Sequence, residues 1–233
     1  LKEVVTDMQA KKTELGIEGV FASTSLGSGE QWRWQTHLAN IPMYYEFKEK
    51  IKDDESTVSY GVSAKETEFK YDDKFKNIFD LYTENSVSDK KVLGSKSTSD
   101  SMAEFALGRC AMVQNGDWAW SQIESVSGNT VKEKDIKFMP IYMGFDGEEN
   151  QGICVGTENY LAVNDKASDE EKQNSIEFLE WLFTSETGKD YVVNKLGFNA
   201  PFTSFTDSEK PKDPLSREVL RWLESGKNNI EWT

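Results

Sequence analysis

Gly108-Arg109-Cys110-Ala111-Met112-Val113-Gln114-Asn115-Gly116-Asp117-Trp118-Ala119-Trp120 is the stretch on which the reading of this chain turns. Cys110 to Gln114 is a short apolar run of strand length, Asn115-Gly116-Asp117 breaks it, and the tryptophans open a helix expected to reach Val126. A strand passing through a tight turn into a helix is the building unit of α/β proteins. The turn also holds parts that can meet a ligand. Gly116 permits close approach, Asp117 accepts protons from hydroxyl groups, and a helix start leaves backbone N–H groups free.

The same alternation runs outward in both directions. Upstream, Leu1 to Leu15 reads as a helix stopped by Gly16, Ile17 to Ala22 as a buried strand, and Ser23 to Glu30 as a loop delivering Trp32-Arg33-Trp34. Lys48 to Lys70 is polar and weakly patterned and reads as a surface hairpin or loop. Phe75, Ile78, Phe79 and Tyr82 form one helical stripe, and Met102, Phe105 and Ala106 another behind a cap region at Ser97 to Asp100. Downstream, Ile136 to Tyr142 and Ile153 to Val163 read as strands. Ser168 and Glu171 form a capping box for a helix with the stripe Ile176, Leu179, Leu182 and Phe183. Ser185 caps a shorter helix ending by Gly197, and Asp213-Pro214 opens a last one that Gly226 stops.

Twenty-seven Lys and Arg against 41 Asp and Glu give a net charge of -14, which repels a phosphate backbone and argues against nucleic acid as a partner. No apolar run approaches the length of a membrane span. The chain begins at Leu1 inside a helical pattern, without an initiator Met or signal-peptide pattern, and reads as cut from something longer. Cys110 and Cys154, each among apolar neighbours, are expected to be free buried thiols. With His37 as the single histidine, and no phosphate loop or Gly-x-Gly-x-x-Gly element, neither a metal site nor a cofactor is expected.

Aromatics carry the strongest signal. Trp32, Trp34, Trp118 and Trp120 lie beside loop residues, whereas Trp181 and Trp222 fall inside amphipathic helices and are expected in the core. An indole face matches the C–H face of a pyranose, and nearby carboxylates and amides bind its hydroxyls. Spacing turns Trp118 and Trp120 to different helix faces, so one of the two is expected in the core.

Those residues resemble the Gly-x-x-Ala-Met-x-x-x-Gly-x-Trp signature of the family 1 bacterial extracellular solute-binding proteins, the maltose-binding-protein-like family. Gly156-Thr157-Glu158-Asn159-Tyr160-Leu161-Ala162-Val163-Asn164 is similar to the strand after that family's central Gly-rich loop. The helix from Glu171 to Phe183 with Thr184-Ser185-Glu186, and Gly197-Phe198-Asn199-Ala200-Pro201, resemble its later helix pair and Gly-x-x-Pro turn.

The resemblance implies an α/β fold of the periplasmic-binding-protein type II, two lobes around a cleft, with the first lobe incomplete in this chain. Residues 1–135 are similar to the second lobe, 136–195 to a return into the first, and 196–233 to the start of the closing helices. It implies an extracytoplasmic binding component of an ABC importer, not an enzyme, capturing a mono- or oligosaccharide by hinge closure. It also implies a membrane permease as partner, a monomeric intact protein, and a place in the periplasm or at the cell surface, with or without a lipid anchor. Trp118 stands where maltose-type members place a sugar-stacking Trp, Trp32 or Trp34 near an aromatic subsite, and Asp117 where they carry Pro. Glu158, Asn159, His37 and Arg33 complete the expected ligand-binding set. The alternatives are a receptor for a polyamine or peptide, and a glycoside hydrolase using two of the many carboxylates.

Overall fold

The computed structural model describes residues 1–52, 55–157, 159–200 and 202–233. Helix α1 (Lys2–Ala10) leads through turns to β1 (Gly19–Phe21), which pairs in parallel with β2 (Cys110–Met112), Gly19 opposite Cys110 and Phe21 opposite Met112. Between them lie α2 (Asn40–Lys48), α3 (Thr57–Ser63), α4 (Asp72–Glu84) and α5 (Thr98–Ala106). After β2 come α6 (Ala119–Glu124), β3 (Gln151–Val155), α7 (Asp169–Thr184), α8 (Glu186–Asp190), α9 (Pro214–Leu223) and β4 (Asn228–Glu231). β3 and β4 form a second parallel pair, with Gln151 opposite Asn228 and Val155 opposite Glu231. Among the described residues the fold is therefore helix-rich, with few and short strands.

Local chemistry explains most boundaries. Ser97 and Asp100 close a reciprocal capping box at the start of α5, as Ser168 and Glu171 do for α7, and the Asp213 carboxylate accepts from the Leu215 and Ser216 N–H groups with Pro214 in the first turn of α9. Two apolar clusters hold the elements together. One joins Val5, Val20, Phe21, Trp34, Leu38, Ile41, Tyr82 and Ile230, and the other Met102, Ala106, Trp120, Ile123, Ile136 and Leu215.

Several expectations need correction. The polar stretch from Lys48 to Lys70 contains α3, capped by Ser56 Oγ, which accepts from the Ser59 N–H. Ile136 to Tyr142 is not a strand, because its backbone groups are taken by side chains instead of a neighbouring ladder. Phe138 N–H donates to Glu218 Oε2 (3.3 Å), Phe138 O accepts from Trp222 Nε1 (3.1 Å), and Ile141 O accepts from Gln151 Nε2 (3.1 Å). The expected strand over Ile153–Val163 ends at Val155, where its partner β4 ends. Trp181 is not in the core. It is 45% exposed on α7, a helix without one buried residue. Trp222 is half-buried. Cys110 and Cys154 are free thiols, Cys110 buried and Cys154 half-buried, and burial pushes both up to about 12.

Candidate functional site: an aromatic cup at the strand ends

The carboxyl ends of all four strands converge. β1 continues into the Ser23–Trp32 loop, β2 into the Gln114–Trp118 turn, β3 into Gly156 and β4 into Trp232. Loops leaving the carboxyl ends of adjacent parallel strands are where open α/β sheets place ligands. Here they bring together Trp32, Trp118, Trp232 and His37. The His37 ring lies 5.0 Å from Trp32, 5.7 Å from Trp118 and 5.2 Å from Trp232, centroid to centroid, and Trp32 and Trp118 are 6.3 Å apart with 33° between their planes.

Two indoles depend on glycines. A Cβ at Gly116 would run into the six-membered ring of Trp118, and one at Gly156 into the Trp232 ring. Each ring occupies space that a side chain on the glycine would take.

The wall carrying Trp32 and His37 has an unusual backbone. Arg33–Leu38 is a π-helix, a form that concentrates at functional sites because its wider turn re-aims side chains. It buries Arg33, Trp34, His37 and Leu38 and leaves Gln35 and Thr36 in solvent. The loop before it is pinned from α5. Buried Glu104 accepts from the Ser23 N–H (2.7 Å) and hydroxyl (2.5 Å), Ser101 donates to Ser23 O (2.6 Å), and Ser25, with a left-handed φ of 51°, lies 2.8 Å from the Ser101 hydroxyl.

Polar groups ring the cup. The Arg33 guanidinium sits 4.1 Å from the centre of the Trp32 ring, donates from Nε to Asn115 Oδ1 (3.2 Å), and pairs with Glu30 at 3.3 Å. Glu30 also accepts from the Thr98 hydroxyl. Burial lowers the Arg33 pKa while Glu30 opposes that effect. Asp117 accepts from Asn199 Nδ2 at 3.0 Å; burial raises its pKa, and the hydrogen bond from Asn199 counteracts part of the rise. His37 is driven down to about 4, first by burial and then by the charge on Arg33, so its imidazole is neutral near pH 7.

Of the residues expected at a site, the cup brings together Trp32, Trp118, His37, Arg33 and Asp117. Trp32 and Trp118 are 37% and 39% exposed, whereas Trp120, on the inner face of α6, is buried. Trp34 is core: its Nε1 donates to Thr24 O (2.8 Å) and its ring packs on Phe75, Phe79 and Tyr82. Asn159 is exposed at a left-handed φ of 57° and makes none of the cup's contacts. Glu158 lies outside the described residues, as does the proline of the expected Gly-x-x-Pro turn, Pro201. Trp232, Gln114, Asn115 and Asn199 enter from structure alone. The signal for Trp232 is the weak run Asn228-Asn229-Ile230-Glu231, too short and polar to read as a strand without its partner β3.

The chain matches, over residues 1–217, the family described as bacterial extracellular solute-binding protein, and it belongs to that family. Neither curated proteins nor solved structures match it. Membership makes the chain a small-solute binding component of a transporter, extracellular in the family's sense. No described helix is long and apolar enough to cross a membrane.

Proposed function

We propose, from that membership, that the cup captures a neutral mono- or oligosaccharide for delivery to an ABC importer. The observation carrying this reading is the pair of half-exposed indoles, Trp32 and Trp118, 6.3 Å apart and held over polar loops. Such faces stack on the C–H side of a pyranose, and Asp117 and Asn199, beside Trp118, are the polar groups that would meet its hydroxyls. The first lobe that the resemblance implies would supply the opposite wall, and hinge closure would shift the population toward a closed form by the solute's differential affinity for it.

Charge disfavours the polyamine alternative. Glu30 is committed to Arg33 and Thr98, Asp117 is held by Asn199 with its pKa raised, and the Arg33 guanidinium lies over Trp32. The charges of Glu30 and Arg33 offset each other, so among the described residues of the cup a polycation meets Asp117 as the one carboxylate without an ion pair. The hydrolase alternative calls for a pair of free carboxylates flanking a glycosidic bond. Among the described residues of the cup Glu30 is already paired, which leaves Asp117, with the nearby Asp213 carboxylate committed to the cap of α9.

A thermal-shift screen against sugars tests the reading, because a ligand bound to the native state alone raises its melting temperature by mass action. A sugar that raises it and is recovered chemically unchanged supports a receptor. Release of a reducing end by the pure chain would make it a hydrolase.

A further inference from the structure

His37 is 95% buried by its 5% relative exposure, and one of its two ring nitrogens has no partner. The partnered nitrogen is Nδ1, 2.8 Å from Gln114 Nε2. An amide nitrogen only donates, so Nδ1 is the acceptor and the single proton of the neutral ring must sit on Nε2. Among the described residues that buried Nε2–H has no acceptor, and the rings packed about the imidazole are Trp32, Trp118 and Trp232. A buried donor without a protein partner is costly unless water or a ligand accepts from it.

We infer that Gln114 is a positioning residue that locks His37 in its Nε2–H tautomer, so that a buried hydrogen-bond donor, enclosed by the Trp32, Trp118 and Trp232 rings at the floor of the cup, selects for solute groups able to accept from it when they enter between those rings. The inference rests on the cup being the solute site. It makes selection a matter of proton position as well as ring stacking. A hydroxyl or ring oxygen is accepted, while an ammonium or other donor-only group is left facing an N–H. The charged groups bearing on the imidazole are few. Arg33, from the same π-helix, is the charge that acts on it, and it is itself paired with Glu30. The facing loop contributes neutral Gln114 and Trp118. β4 contributes neutral Trp232, with neighbouring Glu231 engaged by the Thr57 hydroxyl at 2.7 Å. Among the described residues nothing in this shell favours a second proton on the ring, in keeping with a pKa near 4.

Because His37 is the single histidine, long-range 1H–15N spectra of the 15N-labelled chain, prepared without a histidine tag, contain one imidazole and no assignment problem. The expected result is the Nε2–H pattern between pH 5.5 and 8. Gln114→Glu places a carboxylate where the amide stood. It should accept from Nδ1–H and raise the His37 pKa by about 1–3 pH units. Gln114→Met keeps the bulk and removes the donor, so the Nδ1–H tautomer should appear without a comparable rise; it serves if the Glu variant does not fold. An Nδ1–H pattern in the unaltered chain, or a tautomer and pKa unmoved in both variants, overturns the inference. Titration with maltose and with D-glucose, followed by tryptophan fluorescence, separates the two layers. A sugar that alters fluorescence should also shift the Nε2–H resonance, and a bound sugar that leaves that resonance in place overturns the donor role. An Nε2–H pattern with no sugar bound sustains the tautomer assignment and counts against the sugar reading instead.

Discussion

Trp118 and Trp181 are exposed to nearly the same degree, 39% and 45%, yet they stand in opposite surroundings. Trp118 rests over Gly116, faces Trp32 and His37, and follows Asp117, which is oriented by Asn199. Trp181 stacks on Phe178 at 5.8 Å on a helix face bordered by Leu161, Val163 and Leu179, which together form a shallow apolar groove with Phe178. Exposure alone therefore does not define a site. Recognition of a hydroxylated solute needs convergent polar groups of fixed direction, which the cup has, whereas the α7 groove sets only Asn174 and Ser175 beside its apolar side chains. The α7 face has the character of a surface that another apolar surface covers.

The contrast breaks first on stability. Trp120 is buried against Met102 and Ile123, so Trp120→Ala should cost about 3–5 kcal/mol in denaturant unfolding through the cavity it leaves. A loss below about 1 kcal/mol would mean that this cluster is not a packed core.

Next in size is an acid effect confined to the cup. His37 has a pKa of about 4 in the fold against 6.5 ordinarily, so the unfolded chain takes up the proton first. The stability this residue permits is complete above pH 6.5 and falls as pH drops from 6.5 toward 4. The loss amounts to about 3 kcal/mol. Carboxylates held below their usual range, Glu46 and Glu218 among them, lose their contribution at lower pH, and Asp117 acts in the opposite sense. The difference between the unaltered chain and His37→Gln isolates the imidazole. Parallel stability curves for the two between pH 7 and 4 would contradict the burial of His37.

Much of this was legible in the sequence, and the gaps have physical causes. Capping residues act locally, so Ser97, Ser168, Ser185 and Asp213 announced their helices correctly. Strand partners are distant, so Ile136 to Tyr142 looked like a strand although Glu218 and Trp222 of α9 take its backbone bonds. The stripe Ile176, Leu179, Leu182 and Phe183 correctly foretold a helix. Amphipathic pattern states which face wants cover, not whether cover is present, and α7 buries none of it. Within the cup, Trp118, Trp32 and Asp117 were visible because a tight turn places them. Trp232 and Asn199 arrive from remote segments through pairing and loop packing that no local pattern encodes.

Smaller effects sharpen the comparison. Trp118→Ala should weaken sugar binding by about 1–3 kcal/mol in calorimetry while the unfolding midpoint stays close to that of the unaltered chain. A fall in midpoint matching that of Trp120→Ala would place Trp118 in the core. Smallest of all, Trp181→Ala should change stability by about 0.5 kcal/mol or less and leave sugar affinity alone, because its ring lies far from full burial. Loss of sugar binding in that variant would move the site from the cup to the α7 face.

The claim that the cup is a receptor for neutral hydroxylated solutes is tested most directly by tryptophan fluorescence of the unaltered chain, titrated in parallel with neutral sugars and with spermidine. Stacking on Trp32 and Trp118 alters the indole surroundings, so a cognate sugar should produce a saturable change while spermidine, which finds Arg33 and Glu30 already paired and Asp117 alone among the described carboxylates of the cup, produces none. Saturation by spermidine with no response to any sugar would contradict the account.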